Sequence, residues 1–497
     1  MEATTNTFLS WLEKEQNKTY QNFINGEWKP SSSEETYPVS CPGKNNLVLG
    51  HFPYSTEEDV NLAVEAAHQA FQTWSQVPGP DRAAILLKFA QLLEDHLEEL
   101  AFILSAEQGK VLAEARGEVG RAIKETRNVA GDAIRIEGTT LPSEKSNVTA
   151  AVKHQPIGVV AAIAPWNFPV VTPIRKIVPA LAYGCTVVYK PASETPWTSI
   201  KIMELLSQAG VPNGVVNLVS GSGSKVGNPL INHPLVKGIS FTGSTGVGTR
   251  LNEMAARRLV KTQLELGGKN PAVVLDYGDP NVVAKEIVGA AFACSGQRCT
   301  SISRVIVLKD KAKELVSAIK EQMNGLKVGP SWEPTSTIGP LVNKDQLETT
   351  LNYIKIGREE GATLELGGEV LSDGEMEEGN YVVPALFTNV TPEMKIAKEE
   401  IFGPVLSVLE VESFEEALDV ANDVEYGLAA SIFTNNLSLA NRFVEGVESG
   451  MVHVNHGTAS QAHVPFGGVK QSGYGAYSIG KTNKDFYTNV KVSYFQY

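Results

Sequence analysis

Residues 157–190 read IGVVAAIAPWNFPVVTPIRKIVPALAYGCTVVYK, two short apolar runs on either side of a segment long enough for a helix. Similar apolar runs follow at 214–219 (GVVNLV), 238–242 (GISFT) and 271–275 (PAVVL). Strands that are apolar on both faces and alternate with helices are typical of a parallel α/β sheet. The pattern therefore predicts a parallel sheet that begins near residue 157.

A second series of apolar runs follows Cys299, at 304–308 (RVIVL), 405–411 (VLSVLEV) and 430–434 (ASIFT). Two α/β layers in one chain predict two domains with a cleft between them. The loosely alternating segment Asn489–Tyr494 predicts a further strand near the end of the sequence, which could pair with another subunit.

Two helices are predicted before these strands. Ser55 and Glu58 have the spacing of a capping box, and apolar residues at helical spacing follow them. A second helix is predicted after Pro80, with an apolar stripe that continues through Leu97 and Leu100.

Composition restricts the function classes. The 497 residues, 42 % hydrophobic and 20 % charged, are typical of a globular enzyme of about three domains. The net charge of −13 argues against nucleic acid or an anionic membrane as a partner. The sequence shows neither a signal peptide nor a membrane span. Its four cysteines lack zinc-ligand spacing, so we expect a reducing, cytoplasmic setting.

Cys299 is the candidate nucleophile. Most lone cysteines are small buried hydrophobes, and we interpret Cys41 and Cys185 in that way. Cys299 differs because it lies in the polar segment SGQRCTS (295–301), directly after Arg298. A neighbouring cation can lower the pKa of a thiol and favour the nucleophilic thiolate. Cys294 is interpreted as a packing residue, although an oxidative pair with Cys299 stays open.

Three further segments are ambiguous when each is taken alone. FTGSTGVG (241–248) could bind a dinucleotide phosphate at a helix N-terminus, or be a glycine-rich turn. Glu265, in QLELGGKNP (263–271), is either a general base held in apolar surroundings or a structural residue. Asn167, in APWNFP (164–169), could donate to an oxyanion at the carboxyl end of a strand, or belong to a structural turn.

Taken together and in this order, these segments resemble the aldehyde dehydrogenase superfamily. The resemblance covers nearly the whole sequence and includes FINGEW (23–28), KPASETP (190–196), EEIFGPV (399–405), ANDVEYGLAASIFT (421–434) and PFGGVKQSG (465–473). It implies a fold of three parts: a Rossmann-like cofactor domain (1–135 and 152–266), an α/β catalytic domain (267–467) and a small β oligomerisation flap (136–151 and 483–497). A homodimer or homotetramer is expected.

The resemblance implies oxidation of an aldehyde to a carboxylate through a thioester on Cys299, without a metal. Glu265 is the implied general base, and Asn167 is the implied oxyanion donor together with the backbone N–H of Cys299. The implied cofactor-binding residues are Trp166, Lys190, Ser193, Glu194, Gly243, Ser244, Gly268, Glu400 and Phe402.

The same resemblance bears on the choice between NAD and NADP. NAD-preferring relatives commonly carry a Glu at the position of Ser193, so we predict that NADP is used at least comparably to NAD. The adjacent Glu194 is the alternative discriminating carboxylate.

The substrate region resembles the succinate-semialdehyde and 2-oxoglutarate-semialdehyde dehydrogenase branches. This resemblance rests on Arg175, in PVVTPIRK (169–176), and on Ser460, in HGTASQAHVP (456–465). His463, in the same loop, is either a substrate contact or loop decoration. Those branches often carry a second arginine six residues before the nucleophile, where this sequence has Ala293. Either another group replaces that arginine, or the substrate carries a different anion, for instance a sulfonate.

Two rival functions remain open. A CoA-acylating aldehyde dehydrogenase would pass the acyl group to CoA, and the presence of Glu265 argues against it. A non-catalytic binding protein on the same fold would have no need to keep Cys299, Glu265 and Asn167 together.

Overall fold

The computed structural model describes residues 2–497, and side chains from residue 5 onward. One large sheet has eight strands. In spatial order they are Gly473–Tyr474, Lys261–Glu265, Val236–Thr242, Val159–Ile163, Thr186–Lys190, Val216–Leu218, Asn22–Ile24 and Glu27–Lys29. The five strands from Lys261–Glu265 to Val216–Leu218 are parallel. Four of them coincide with predicted apolar runs, whereas Lys261–Glu265 (KTQLE) is not apolar and was not predicted.

The order of these parallel strands creates a crevice. Val159–Ile163, the first of the five along the chain, lies between the second, Thr186–Lys190, and the fourth, Val236–Thr242. The chain therefore changes its direction of travel across the sheet at this strand. Ligands of open α/β sheets bind outside the carboxyl ends of the strands at such a switch point. The loops that begin at Ala164 and Gly243 meet there.

Alternation along Val159–Ile163 explains why this strand is apolar throughout. Val160 and Ala162 belong to the apolar core on one face of the sheet. Val159, Ala161 and Ile163 belong to the core on the opposite face. Successive side chains of a strand point to opposite faces, so a sheet with helices on both sides needs apolar residues at every position.

The second large sheet has seven strands. In spatial order they are Thr363–Leu366, Ala385–Thr388, Val405–Val411, Ile302–Leu308, Asn270–Val274, Ala429–Phe433 and Met451–Val454. All neighbours are parallel except the first pair. The run at 271–275, which the sequence pattern joins to the first series, thus belongs to the second sheet. The pattern of one strand does not encode its neighbour, and residues 266–269 carry the chain from one sheet to the other.

A third, antiparallel sheet contains Thr488–Gln496, Val148–Pro156 and Thr139–Pro142, in that order. The strand predicted at Asn489–Tyr494 is its edge strand. Smaller pairings join Lys18–Thr19, Lys44–Pro53 and Thr36–Cys41, and Tyr426–Gly427 with Val469–Lys470.

The helices are Glu2–Glu15, Glu57–Trp74, Gly79–Asp95, Leu97–Gln108, Leu112–Ala130, Val171–Ala182, Pro196–Ala209, Asn228–Asn232, Thr245–Ala256, Pro280–Phe292, Lys309–Asn324, Lys344–Glu359, Lys395–Lys398, Phe414–Asn422, Leu437–Gly446 and Asn483–Tyr487. Within residues 2–497, none has the length and apolar character needed to cross a membrane.

Two helix predictions need correction. The capping box of Glu57–Trp74 is formed by Thr56 and Asp59, one residue after the predicted pair. Ser55 is buried and accepts a hydrogen bond from Asn22 instead (2.8 Å), a contact that no local pattern reveals. Leu97 and Leu100 lie in the next helix, because the helix after Pro80 ends at Asp95.

Candidate active site

Cys299 follows a tight turn at the end of helix Pro280–Phe292. Three consecutive residues in this turn have positive φ: Cys294 (57°), Ser295 (56°) and Gly296 (71°). Residues that carry a Cβ disfavour this region, so surrounding contacts must hold the turn. One such contact is the bond from the Ser295 hydroxyl to the carbonyl of Gly339 (2.8 Å).

Asn270 fixes the backbone of the nucleophile. Its Nδ2 donates to the carbonyls of Cys299 and Ser301, both at 2.8 Å, and its Oδ1 accepts from the N–H of Ala429 (3.0 Å). The side chain thereby ties the loop of Cys299 to two strands of the second sheet. The sequence analysis assigned no role to Asn270, because an Asn before a strand has no distinctive local pattern.

The thiol of Cys299 lies where two cavities meet. The substrate-side cavity, of about 290 Å³, lies between Cys299 and helix Leu112–Ala130. The cofactor-side cavity, of about 240 Å³, lies over the carboxyl ends of the first sheet. Asn167, Thr242 and Cys299 line both. A group attached to Cys299 can therefore be reached from two directions.

Burial raises the pKa of the Cys299 thiol to about 12, and the carboxylates of Glu265 and Glu400 also raise it. Arg175 and Arg298 act in the opposite direction. The predicted effect of Arg298 thus has the right sign, but burial outweighs it. The protonated thiol is therefore favoured over the thiolate.

Asn167 is buried in the loop after strand Val159–Ile163. One N–H of its amide donates to the carbonyl of Gln297 (2.9 Å), two residues before Cys299. Its backbone carbonyl accepts from Lys110 (3.0 Å). These bonds hold the amide beside the thiol, and the second N–H of the amide group remains for an oxyanion.

Glu265 is buried at the end of strand Lys261–Glu265, opposite Thr242 on the neighbouring strand. Its carboxylate accepts from the hydroxyls of Thr242 (3.2 Å) and Ser478. It also lines the substrate-side cavity. The predicted base is therefore held by two hydroxyl groups that the sequence analysis did not single out, one of them 213 residues away.

Glu400 is held at the cofactor-side cavity by the N–H of Gly268, which donates to it (2.9 Å). Burial raises the pKa of Glu400 to about 7. A Cβ at Gly267 would lie 2.2 Å from the Glu400 carboxylate, so only glycine leaves room for this side chain. Next to it, the rings of Trp166 and Phe402 pack edge to face with centroids 5.3 Å apart.

A helix N-terminus lies at the cofactor-side cavity. Gly243 and Ser244 line it and precede helix Thr245–Ala256, which no side-chain cap closes. The first N–H groups of a helix have no partner within the helix and, with the dipole, bind phosphate groups. The glycine-rich segment thus has the position that phosphate binding requires.

Lys190 is the last residue of strand Thr186–Lys190, and Ser193 and Glu194 follow it at the same edge of the first sheet. The buried Lys190 ammonium donates to the carbonyl of Pro191 (2.8 Å), and burial lowers its pKa to about 8. Ser193 contacts the carbonyl of Gly221 (3.5 Å) after the next strand. None of the three lines the cofactor-side cavity itself.

In the substrate-side cavity, Arg175 binds Glu125 through its Nε (3.0 Å) and Nη2 (2.9 Å). The guanidinium lies over the ring of Phe466, 4.6 Å from its centroid. Arg175 and Ser460 both line this cavity. His463 does not: its side chain is exposed, so its position does not support the predicted substrate contact.

Within the part of the chain that the structure describes, no cluster of His, Cys, Asp or Glu side chains is arranged to hold a metal ion.

Comparisons with known proteins agree with this geometry. The model of the family described as "Aldehyde dehydrogenase family" matches residues 28–493. The chain is 44 % identical to the alpha-ketoglutaric semialdehyde dehydrogenase of Bacillus subtilis (strain 168), over 96 % of this chain and 98 % of the relative. It is 40 % identical to the malonate-semialdehyde dehydrogenase of the same strain, over 95 % and 96 %. The crystal structure of an NAD-dependent aldehyde dehydrogenase from Sinorhizobium meliloti superposes with a TM-score of 0.94 at 35 % identity, over 97 % and 95 %.

Proposed function

Because the chain belongs to the aldehyde dehydrogenase family, we propose that it oxidises a semialdehyde bearing a carboxylate to the corresponding dicarboxylate. The protein is an NAD(P)-dependent aldehyde dehydrogenase. The anionic substrate is supported by Arg175, whose guanidinium lines the same cavity as Cys299. The carboxylate of the substrate would bind at that arginine while its aldehyde carbon meets the thiol.

In this proposal Cys299 is the nucleophile. Its sulfur adds to the aldehyde carbon, and the thiol proton passes to solvent water in the substrate-side cavity as the carbon–sulfur bond forms. The resulting oxyanion is stabilised by the free N–H of Asn167 and by the backbone N–H of Cys299. The chemistry that a bound NAD or NADP supplies is two-electron oxidation of this adduct, which leaves a thioester on Cys299.

Glu265 is proposed as the base for hydrolysis. It lines the cavity from which water reaches the thioester, and two hydroxyl groups hold its carboxylate in place. Proton transfer from water to Glu265 allows attack on the thioester carbon, which releases the dicarboxylate and the free thiol. Transfer to CoA is the rival outcome, and a rate that rises when CoA is added would favour it.

The substrate proposed first is 2-oxoglutarate semialdehyde, because the relative named for it is 44 % identical to this chain. Malonate semialdehyde is the second candidate, because a relative of that name is 40 % identical. A panel of these two compounds, a sulfonated aldehyde and propanal ranks them by kcat/KM.

The anion proposal is tested with Arg175→Leu. We expect KM for 2-oxoglutarate semialdehyde to rise by roughly 10- to 100-fold, as for loss of a charged hydrogen bond. The value for neutral propanal should stay within about threefold. Because Arg175 also pairs with the buried Glu125, thermal unfolding of the variant must be measured beside the kinetics. Equal increases in KM for both aldehydes would show that Arg175 has a structural role instead.

Use of NADP at least comparably to NAD is proposed from Ser193. A carboxylate at this position would repel a 2′-phosphate. The repulsion energy of two like charges ~4 Å apart is about 4 kcal/mol at an effective dielectric near 20. Ser193→Glu should therefore shift the ratio of kcat/KM values towards NAD. A wild type that discriminates a hundredfold against NADP would contradict the proposal and point to Glu194.

A cofactor domain, a catalytic domain and an oligomerisation flap stay part of the proposal. The two large sheets support the first two, and the antiparallel sheet that contains Thr488–Gln496 supports the third. We propose a homodimer or homotetramer, and a cytoplasmic location because a free nucleophilic thiol requires a reducing compartment.

A further inference from the structure

Arg121 lies on helix Leu112–Ala130 and lines the substrate-side cavity together with Arg175. The sequence analysis did not single it out, and the mechanism above does not use it. Its guanidinium has three nitrogens in different surroundings. Nε donates to the carboxylate of Glu125 (2.5 Å), and Nη1 donates to the backbone carbonyl of Ser460. Nη2 is buried and has no hydrogen-bond partner among the described residues.

A buried guanidinium nitrogen without a partner is unusual, because leaving a charged donor unsatisfied is unfavourable. Arg121 nevertheless lines the substrate-side cavity with 21 % of its side chain exposed, so an anion in that cavity can reach the guanidinium. Arg121 and Arg175 both bind the same oxygen of Glu125, at 2.5 and 2.9 Å. Two guanidiniums therefore lie side by side around one carboxylate. Each positive charge opposes the other, and Arg175 is among the causes that lower the pKa of Arg121, after burial.

We propose that Arg121 is a second specificity-determining arginine, whose guanidinium binds the distal carboxylate of the substrate beside Arg175. The inference rests on the proposed function, since it names the group that receives the anion of the same substrate. The pair would then hold two carboxylates, Glu125 and the substrate. Ala293 removes the arginine expected before the nucleophile, and Arg121 supplies a guanidinium from a different helix.

The bond from Arg121 to Ser460 gives this residue a second effect. It ties the loop 456–465 to the helix, so loss of Arg121 could act through loop order alone. Asn128 offers a matched control, because it lies on the same helix and donates to the carbonyl of Ala462 in the same loop (3.2 Å). Asn128 does not line the cavity. Asn128→Ala therefore loosens the loop without removing charge from the site.

The experiment compares wild type with Arg121→Gln, Arg121→Lys and Asn128→Ala. Steady-state kinetics with 2-oxoglutarate semialdehyde and propanal give a selectivity ratio for each protein. Calorimetric titration with 2-oxoglutarate, the dicarboxylate product, gives a Kd that does not depend on turnover. Thermal unfolding identifies variants that fail to fold.

We expect Arg121→Gln to lower the selectivity ratio by roughly 10- to 100-fold, mainly through KM for the semialdehyde, and to weaken 2-oxoglutarate binding by a similar factor. Arg121→Lys, which keeps the charge, should recover part of the loss and stands in if the Gln variant does not fold. Asn128→Ala should keep the wild-type ratio.

Equal losses for both aldehydes, or the same change in Asn128→Ala, would overturn the inference and make Arg121 a loop anchor. A wild type that prefers propanal would overturn the proposed function. In that event the titration still decides about Arg121: unchanged binding of 2-oxoglutarate in Arg121→Gln would refute its role as an anion ligand.

Discussion

The thiol of Cys299 faces two carboxylates, Glu265 and Glu400, and two guanidiniums, Arg175 and Arg298. Burial is the largest effect on the thiol pKa, and the two carboxylates raise the pKa further, so the protonated thiol is favoured although the two guanidiniums oppose this. A thiol of high pKa is a slow nucleophile in the free enzyme, which limits side reactions with other electrophiles.

This charge arrangement predicts the pH dependence of alkylation. Iodoacetamide should modify Cys299 of the free enzyme slowly at pH 8, because only the thiolate reacts. The rate should rise about tenfold for each pH unit until the pH approaches the thiol pKa of about 12. Peptide mass spectrometry measures the rate at this cysteine alone. Arg298→Leu removes a charge that lowers the thiol pKa, so it should slow alkylation at pH 9. Glu400→Gln removes a charge that raises it and should accelerate alkylation. Shifts in the same direction for both variants would contradict this account.

The two cysteines near the site should differ in function. Cys299→Ala should abolish aldehyde oxidation but retain cofactor binding, measured by fluorescence titration with NADPH. Cys294→Ala should keep most of the activity, because the Cys294 thiol is buried and makes long hydrogen bonds, 3.9 Å each, to the side chain of Gln108 and the backbone carbonyl of Asn167. Complete loss of activity in Cys294→Ala would mean that these roles are wrongly assigned.

Glu265→Gln should separate oxidation from hydrolysis. The thioester still forms, so stopped-flow absorbance should show a burst of reduced cofactor, followed by a steady rate reduced by roughly 10²-fold or more. Cys299→Ala is the control that should lack the burst. An undiminished steady rate would exclude Glu265 as the base.

At the level of structural elements, the turn 293–296 presents the nucleophile in a backbone conformation that only close packing maintains. Gly296 is its most restricted residue, because its φ is +71° and an added Cβ would lie 2.5 Å from the carbonyl oxygen of Gly403. Asn270 holds the other side of this loop through Cys299 and Ser301.

Gly296→Ala should therefore destabilise the protein by at least about 1–2 kcal/mol, the penalty for a left-handed residue with a Cβ, and also lower kcat. Gly289→Ala is the matched control, because this glycine lies in helix Pro280–Phe292 with nothing within 4 Å of the added Cβ. It should stabilise the helix by roughly 0.5–1 kcal/mol. Urea unfolding followed by circular dichroism measures both, and equal stability of the two variants would contradict the packing argument.

At the scale of the whole molecule, the antiparallel sheet has an unusual surface. Its edge strand Thr488–Gln496 exposes large apolar side chains, of which Val490 is 62 % and Tyr494 73 % exposed. Exposed apolar groups on an edge strand are typical of surfaces that bind another chain. This supports the proposed assembly from copies of the same chain.

The combined change Val490→Asp and Tyr494→Asp should shift the protein towards the 53.5 kDa single chain in sedimentation velocity, with circular dichroism unchanged. Leu437→Asp, at an equally exposed apolar position (75 %) on helix Leu437–Gly446, should keep the wild-type sedimentation coefficient. A wild type that already sediments as one chain would refute the assembly.

Local patterns in the sequence are enough to predict the buried strands and the family. Apolar runs such as 159–163 and 186–190 predicted buried parallel strands, because a strand covered on both faces needs apolar residues at each position. The ordered motifs around Asn167, Glu265 and Cys299 predicted the family, which the comparisons confirm. That these three residues share a site also followed from the resemblance.

The tertiary structure is needed to show which groups far apart in the sequence come into contact. Ser478 binds Glu265 from 213 positions away, and Arg121 reaches Ser460 from 339 positions away. The same holds for Ser55, whose hydroxyl accepts a hydrogen bond from Asn22 and does not cap the helix. Strand Asn270–Val274 lies in the second sheet because it pairs with strands Ile302–Leu308 and Ala429–Phe433. Periodicity reflects the face a residue buries, whereas its partner depends on the path of the whole chain, and no local pattern carries that information.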